Sequence, residues 1–396
     1  MIRESGSGKV GIYTLFQRGE WATTRISLSG LLPQLSERIR LFILLNDVHD
    51  EDARKEIETW PNVSYYCSGR NLGVAGGRNF LTKQALRWGA EVLLSYDNDF
   101  ICPPDYVIRM VSALSGLAHR QPVGIIAPAL LNASGCEGLW RDRYRTYLDS
   151  EQEGRSNGRA LTIEQSELSA FMASRGIEDR GLYYHLGICN WKLHYLDSYI
   201  PPLVKLRSLL GKRWPVLSPT VDHRMTGLAN DPAFRRRVID STEPLEVDCL
   251  PGGAHCYFSQ TLRRLGGFDN SYNPFGFEDS DLCIRALCAG YRNYLIPDVA
   301  IVHDIAQRNH YRPLPVIMAT RGKAKRLMLS KYSDGEVERI RFLLNNAILG
   351  PIEVFFHGLY WRRLGRVGYR QIARSVASYL KAFFTTYSKR TSGVDL

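Results

Sequence analysis

Short apolar runs alternating with helix-length segments across the first 130 residues constrain this chain more than any other feature. Val10 to Phe16, Leu41 to Leu45, Val63 to Cys67, Val92 to Tyr96 and Val123 to Ala127 read as strands. Ile26 to Leu35 and Asp52 to Trp60 read as helices, and Gly73 to Trp88 as a loop and helix. Strands separated by helices predict a mostly parallel sheet covered on both faces, in which ligands bind beyond the carboxyl ends of the strands. Asn46-Asp47 and Asp97-Asn98-Asp99 both fall at such ends, so they can face one crevice. With 396 residues there is enough chain for one large domain and an appendage.

Asp97 and Asp99 emerge one residue apart behind an apolar run. Hard cations such as Mg²⁺ and Mn²⁺ take oxygen ligands and usually share them with substrate phosphates, so a metal diphosphate is the ligand to expect. The competing reading is local, because Asp favours turns after strands. Upstream, Arg70-Asn71-Leu72-Gly73-Val74-Ala75-Gly76-Gly77-Arg78-Asn79 is a glycine-rich turn opening a helix. Glycines admit close backbone approach, a helix amino terminus favours anions, and Arg78 offers a planar fork for phosphate. The bland alternative is a tight turn with a solvent-facing arginine. The segment is neither a Walker loop nor a Gly-x-Gly-x-x-Gly fingerprint, which supports neither ATP hydrolysis nor hydride transfer.

A second dense stretch runs Leu250-Pro251-Gly252-Gly253-Ala254, Leu265-Gly266-Gly267-Phe268-Asp269 and Pro274-Phe275-Gly276-Phe277-Glu278-Asp279-Ser280-Asp281-Leu282. Leu282 to Ala289 reads as a helix stopped by Gly290. The acids Glu278, Asp279 and Asp281 ahead of it stabilise a helix start through capping and the macrodipole alone. The functional reading makes them a catalytic group in which Asp279 is a general base that accepts the proton of an incoming hydroxyl. Val299 to Val302 then ends in His303, a structural histidine or a third metal ligand.

The eight cysteines show no zinc spacing, and Met1 to Lys9 is polar rather than a signal peptide. Reduced thiols and a cytoplasmic location are expected. No stretch reaches the roughly 18 apolar residues of a spanning helix. From His303 to Leu396 there are 17 Lys/Arg against 6 Asp/Glu, while residues 1–302 balance at 34 against 34, so the whole excess of +11 lies in the tail. There Ile372, Val376, Tyr379, Leu380 and Phe383 recur at helical spacing with Arg370, Arg374 and Lys381 among the polar positions. Such a basic amphipathic helix either lies on an anionic membrane surface or packs on the protein's own core with a solvated basic face. No nucleic-acid-binding module accompanies the charge, and nucleic acid is not expected as a partner.

Taken together, the order Asn71-x-Gly73-x-Ala75-Gly76-Gly77-Arg78-Asn79, Asp97-x-Asp99, Gly252-Gly253, Gly266-Gly267-Phe268-Asp269, Phe277-Glu278-Asp279-x-Asp281-Leu282 and His303 resembles that of GT-A fold glycosyltransferases, family 2 above all. The Gly-Gly-Phe-Asp to Glu-Asp-x-Asp stretch is also similar to the carboxyl-terminal half of β-1,4-galactosyltransferase-type catalytic domains. The resemblance implies an α/β GT-A (nucleotide-diphospho-sugar transferase) fold with a mostly parallel central sheet, a long insertion and a C-terminal helical extension. It covers about residues 8–135 and 245–310 and implies a nucleotide-sugar-binding half over 1–135 and a catalytic half over 246–310. Between them an insertion over 136–245, rich in Tyr, Trp and Arg, is an acceptor site or lid, or else a structural elaboration or oligomer contact, and a basic helical tail is expected over 311–396. The resemblance also implies donor-binding residues Asp47, Asn71, Gly73, Arg78, Asn79, Asp97 and Gly253. Asp97, Asp99 and His303 are implied as ligands of a divalent cofactor, Mn²⁺ or Mg²⁺, and Asp279 as the base of an inverting transfer.

The expected partners are a nucleotide-diphosphate sugar and a glycan or lipid-linked glycan acceptor, with the inner face of a membrane as a peripheral location for the tail. A sugar-nucleotide pyrophosphorylase is disfavoured because Val10 to Trp21 lacks a Gly-rich, Arg-containing nucleotide loop. A catalytically silent relative or membrane-surface adaptor is the remaining alternative, although Asp99, Asp279 and His303 are all present.

Overall fold

The computed structural model describes residues 8–132, 243–247, 249–250, 252–303, 313–332 and 367–385, with parts of 350–362. The first half alternates as expected: β1 (Val10–Phe16), α1 (Trp21–Ser29), β2 (Ile39–Leu45), α2 (Glu51–Ile57), β3 (Val63–Cys67), α3 (Gly73–Trp88) and β4 (Val92–Ser95). These are followed by β5 (Phe100–Ile101), α4 (Tyr106–Ala118) and β6 (Val123–Asn132). Beyond residue 242 come β7 (Leu245–Val247), β8 (Cys256–Phe258), α5 (Ser259–Leu265), α6 (Glu278–Cys288) and β9 (Arg292–His303). The tail contributes α7 (Leu314–Tyr332) and α8 (Tyr369–Thr385).

Nine strands form one sheet in the order β3-β2-β1-β4-β8-β6-β9-β5, with β7 paired to β9. The parallel character holds from β3 to β4 and again between β6 and β9. The pairings β4–β8, β6–β8, β5–β9 and β7–β9 are antiparallel. Short β8 enters between β4 and β6, so the two halves expected from the sequence share a single sheet. Apolar clusters line both faces, Tyr13, Phe42, Leu93 and Tyr257 on one side and Ile12, Leu94, Phe100 and Ile126 on the other. The continuous apolar strands reflect burial on both faces. Gly11 brings α3 close to the sheet, since a Cβ there would stand 2.9 Å from the Ala85 Cβ.

Local chemistry sets the boundaries. The Asp50 side chain caps α2 by accepting from the Ala53 N–H at 3.2 Å. Gly89, at φ +92°, closes α3. The helix expected over Ile26 to Leu35 instead starts at Trp21 and ends at Ser29, and a 3₁₀ turn over Leu32–Gln34 follows. Pro33 has no N–H and clashes with a preceding helical turn, so the helix cannot continue through it. The helix expected from Leu282 begins at Glu278, which places all three acids in its first turn.

In the tail, Tyr379 and Phe383 of α8 are buried with Leu314 and Met318 of α7, and Val376 and Leu380 pack against the same cluster. The apolar face of this basic helix is therefore covered by the protein itself, while Arg370, Arg374 and Lys381 stay exposed. Among the described residues no helix is long and apolar enough to cross a membrane. The expected insertion over 136–245 lies outside the described residues except at 243–245.

Candidate active site

The carboxyl ends of β1, β2 and β4 lie side by side at one edge of the sheet, where the sequence placed the ligand crevice. There the Asp97 N–H donates to the Gly253 carbonyl at 2.9 Å, which ties the end of β4 to the 3₁₀ turn Gly252–Ala254. Ser95 supports the same turn, its hydroxyl donating to the Gly252 carbonyl at 3.1 Å and accepting from the His255 N–H at 2.7 Å. The two glycines separate two acids. A Cβ on Gly253 would lie 2.6 Å from Asp97 Oδ2, and one on Gly252 would lie 2.3 Å from the Asp279 Cβ. Side chains are excluded from both positions, because the turn packs directly against Asp97, Phe100 and Asp279.

Arg78 joins the two acidic segments. Its guanidinium donates to Asp97 Oδ1 at 3.1 Å and to Glu278 Oε1 at 3.3 Å, and it stands 5.4 Å from the Phe268 ring centroid. The side chain is only 4% exposed, so it is a buried bridge rather than a solvent-facing arginine. Burial opposes its charge, yet Asp97 and Glu278, with Tyr13 and Asp279 behind them, hold it firmly protonated. Beneath it, the Tyr13 and Tyr257 hydroxyls share a hydrogen bond, and burial pushes the Tyr13 phenol up to about 12.

The three acids of α6 receive three environments. Glu278 is 8% exposed and bound by Arg78 and by the Gly276 N–H at 2.6 Å. Burial, reinforced by the neighbouring charge of Asp279 and opposed by Arg78, pushes its carboxyl up to about 7. Asp279 is half-buried, with Oδ2 accepting from the Gly252 N–H at 2.8 Å and Oδ1 from the Ser280 N–H at 2.7 Å. Asp281, expected in the catalytic group, is wholly buried. Its carboxylate takes Arg285 Nε at 2.7 Å and Lys331 Nζ at 2.9 Å, so the structure gives it internal partners.

The other expected positions divide. Asp97 is 28% exposed at the crevice, and Asp99, one residue on, is buried. The Asn98 side chain between them turns to α1, donating to Glu20 Oε2 at 3.1 Å. The backbone of His303 pairs with Phe100, next to Asp99, while its side chain lies outside the described residues. Asp97 and Asp99 supply the hard oxygen donors that Mn²⁺ or Mg²⁺ requires, so the chemistry of this donor pair fits such an ion. Among the described residues no group of three or more His, Cys, Asp or Glu side chains is gathered for a metal.

Asp47 is partly exposed after β2, with Oδ1 accepting from the Val48 N–H at 2.8 Å. Asn71 accepts from the Gly73 N–H at 2.7 Å, and Gly73 itself, at φ +75°, leaves no space for a side chain beside Asn273. Asn79 is buried, donating to the Phe268 carbonyl at 2.7 Å and accepting from the Phe268 N–H at 2.8 Å. It pins the Gly266–Asp269 turn to α3 rather than facing the crevice.

Two asparagines position the site through contacts that the sequence did not assign. Asn46 latches the glycine-rich loop, accepting from the Leu72 N–H at 2.9 Å and donating to the Gly73 carbonyl at 3.0 Å. Asn273 reaches the same loop from the other half, accepting from the Ala75 N–H at 3.1 Å and donating to the Leu72 carbonyl at 2.9 Å. An Asn directly after a buried strand was the sole clue to the first.

Residues 235–312 match the family described as the N-terminal domain of galactosyltransferase, a span that includes Gly252-Gly253, Glu278–Asp281 and His303. No curated protein matches the chain by sequence. Among solved structures it is similar to GalNAc-T7, crystallised with UDP, GalNAc and Mn²⁺, at a TM-score of 0.50 and 11% identity over 84% of this chain. This chain spans 50% of that one's length. The mannosyltransferase PcManGT from Pyrobaculum calidifontis, in complex with GDP-Man and Mn²⁺, aligns at a TM-score of 0.46 and 12% identity, over 95% of this chain and 86% of that one. With its mixed central sheet and its acids at the strand ends, the chain has the GT-A glycosyltransferase fold that its motif order resembles.

Proposed function

We propose that this protein is a metal-dependent, inverting glycosyltransferase that moves a sugar from a nucleoside-diphosphate donor to a hydroxyl of a glycan or lipid-linked glycan, with Asp279 as the general base. One observation carries the reading: Asp97 and Asp279 stand on either side of the Gly252-Gly253 turn, and buried Arg78 bridges Asp97 to Glu278. The family matched over 235–312 and the ligands of GalNAc-T7 point to the same class of chemistry. Placement near family 2 belongs to this proposal and rests on the motif order.

Asp97 and Asp99, with His303 adjoining, would hold the divalent ion. When bound, such an ion neutralises charge gathering on the leaving diphosphate. Arg78 fixes the orientation of the Asp97 carboxylate and places a buried positive charge beside the diphosphate, where low dielectric strengthens its effect. Asp279 is oriented by two backbone N–H groups, and each of its oxygens keeps a lone pair free to accept the acceptor's proton. Displacement of the diphosphate by that hydroxyl in one step, from the opposite face, inverts the anomeric centre. Both Glu278 oxygens are already engaged, so Glu278 serves as the partner of Arg78 rather than as the base.

Attachment to the anionic inner face of a membrane is the second part of the proposal, carried by Arg370, Arg374 and Lys381. Because α8 buries its apolar face on α7, the attachment rests on charge, at about 1 kcal/mol per cation, and weakens with salt. If the triple alanine variant sediments with anionic vesicles as well as the intact chain at low salt, this part fails.

The enzyme reading is tested by donor hydrolysis and transfer across UDP-, GDP-, dTDP- and CMP-sugars with Mn²⁺ or Mg²⁺. Metal-dependent turnover of one donor, lost in Asp99→Ala, is expected. Absence of donor binding under every metal condition would overturn the reading.

A further inference from the structure

The tail helix α7 touches the site at three points that the proposed reaction does not use. Lys331 Nζ contacts both Asp281, at 2.9 Å, and Asp269. Lys323 Nζ donates to the Asn273 carbonyl at 3.0 Å. Met328 receives the Tyr272 hydroxyl at 2.9 Å, and Lys331 also stands 4.8 Å from the Tyr272 ring centroid. All of these contacts fall on the segment 269–281, which contains Glu278 and Asp279. The same segment reaches the glycine-rich loop, because Asn273 bonds Leu72 and Ala75 and the Pro274 carbonyl accepts from the Val74 N–H at 2.8 Å.

A second observation shows why this segment requires holding. Phe277, directly before Glu278, has φ +69°, a left-handed conformation unfavourable for a bulky side chain. Such a conformation persists where surrounding contacts over-determine it. The Gly276 N–H bond to Glu278 and the Asp281 N–H bond to the Phe277 carbonyl, at 2.9 Å, brace it from within. Lys331 braces it from outside, because Asp281 is wholly buried and takes one of its two cations from α7.

We propose that Lys331 is a positioning residue: through Asp281 and Asp269 it clamps the strained turn before α6 and so aligns Asp279 against Gly252 and Glu278 against Arg78. The basic tail is thereby part of the catalytic architecture. This inference rests on the glycosyltransfer reading for its kinetic consequence. Its structural consequence is independent of that reading.

The test compares full-length wild type, Lys331→Met and Lys331→Arg. In Lys331→Met, kcat is expected to fall ten-fold or more with donor KM changed less than two-fold, since small misplacements of a reacting group are costly in rate. Amide hydrogen exchange at Gly252, Gly276 and Asp281 is expected to quicken by a similar factor, with the amides of β1, β2 and β4 unchanged. Lys331→Arg, which keeps the cation, is expected to restore both. Exchange that rises uniformly across the sheet while kcat holds would reduce Lys331 to an ordinary stabilising contact and overturn the proposal. So would arginine no better than methionine. If wild type transfers no sugar from any donor, the exchange measurement alone decides the clamp, and only the enzyme reading fails.

Discussion

The Asp97 turn and the Glu278 turn each place acids at the end of a secondary-structure element, but they are held in different ways. At Asp97 the backbone does most of the work, donating to Gly253 and accepting from the Ser27 hydroxyl at 3.2 Å, while one carboxylate oxygen is held by Arg78. At Glu278 to Asp281 the side chains do it. One acid is bound to Arg78, one to the Gly252 N–H, and one to Arg285 and Lys331, around a backbone strained at Phe277. Residues of the same chemistry become a part-exposed carboxylate, a raised carboxyl, a carboxylate held by backbone N–H groups and a buried anchor according to what surrounds them. Substitutions in the first turn should therefore cost binding, and those in the second should cost structure as well.

The sharpest separation comes from Asp279→Asn, which preserves shape while removing the proposed base. Transfer is expected to fall by about 10²–10⁴-fold with donor affinity retained by calorimetry. Survival of more than a tenth of the rate would remove Asp279 from its role.

Next in size, Arg78→Met leaves Glu278 and Asp97 without their shared cation and should lower stability by about 3 kcal/mol in denaturant unfolding. Asp97→Asn, by contrast, should cost about 1 kcal/mol or less while abolishing metal-dependent donor binding. Equal stability losses would break the distinction between backbone-held and side-chain-held turns.

The pH dependence isolates Glu278. Its folded carboxyl titrates at about 7, above the ordinary 4.5, so between those values the native state retains a proton that the unfolded chain has released. Stability from this group is thus full at low pH and falls as pH rises from about 4.5 through about 7, by on the order of 3 kcal/mol. Glu278→Gln should remove that slope in thermal melts taken at pH 5 and pH 8. An unchanged slope would mean that another group produces it.

Smallest of all, Asn71→Ala removes one acceptor from the Gly73 N–H at an exposed position. It should cost about 0.5–1 kcal/mol with transfer changed only a few-fold. A loss as large as that of Arg78→Met would show the glycine-rich loop to be more loosely held than Asn46 and Asn273 make it.

Much of this was legible locally. The apolar runs at Val10, Leu41, Val63 and Val92 specified parallel strands because burial on both faces demands continuous hydrophobicity, and the acids at 97–99 and 278–281 marked element ends because carboxylates suit turns and helix starts. Helical spacing in the tail predicted α8, with Ile372, Tyr379 and Phe383 on its buried face. Other features depend on partners distant along the chain. Arg78 meets Glu278 and Asn79 meets Phe268 across roughly 200 residues of sequence, and β8 inserts antiparallel between β4 and β6. A residue's own type cannot report such neighbours. Periodicity and turn chemistry, which act over a few residues, determined the elements and the acids available. The roles of those acids, the burial of Arg78 and the reach of Lys331 from the tail were decided by tertiary packing, because desolvation and charge pairing depend on what lies across the fold.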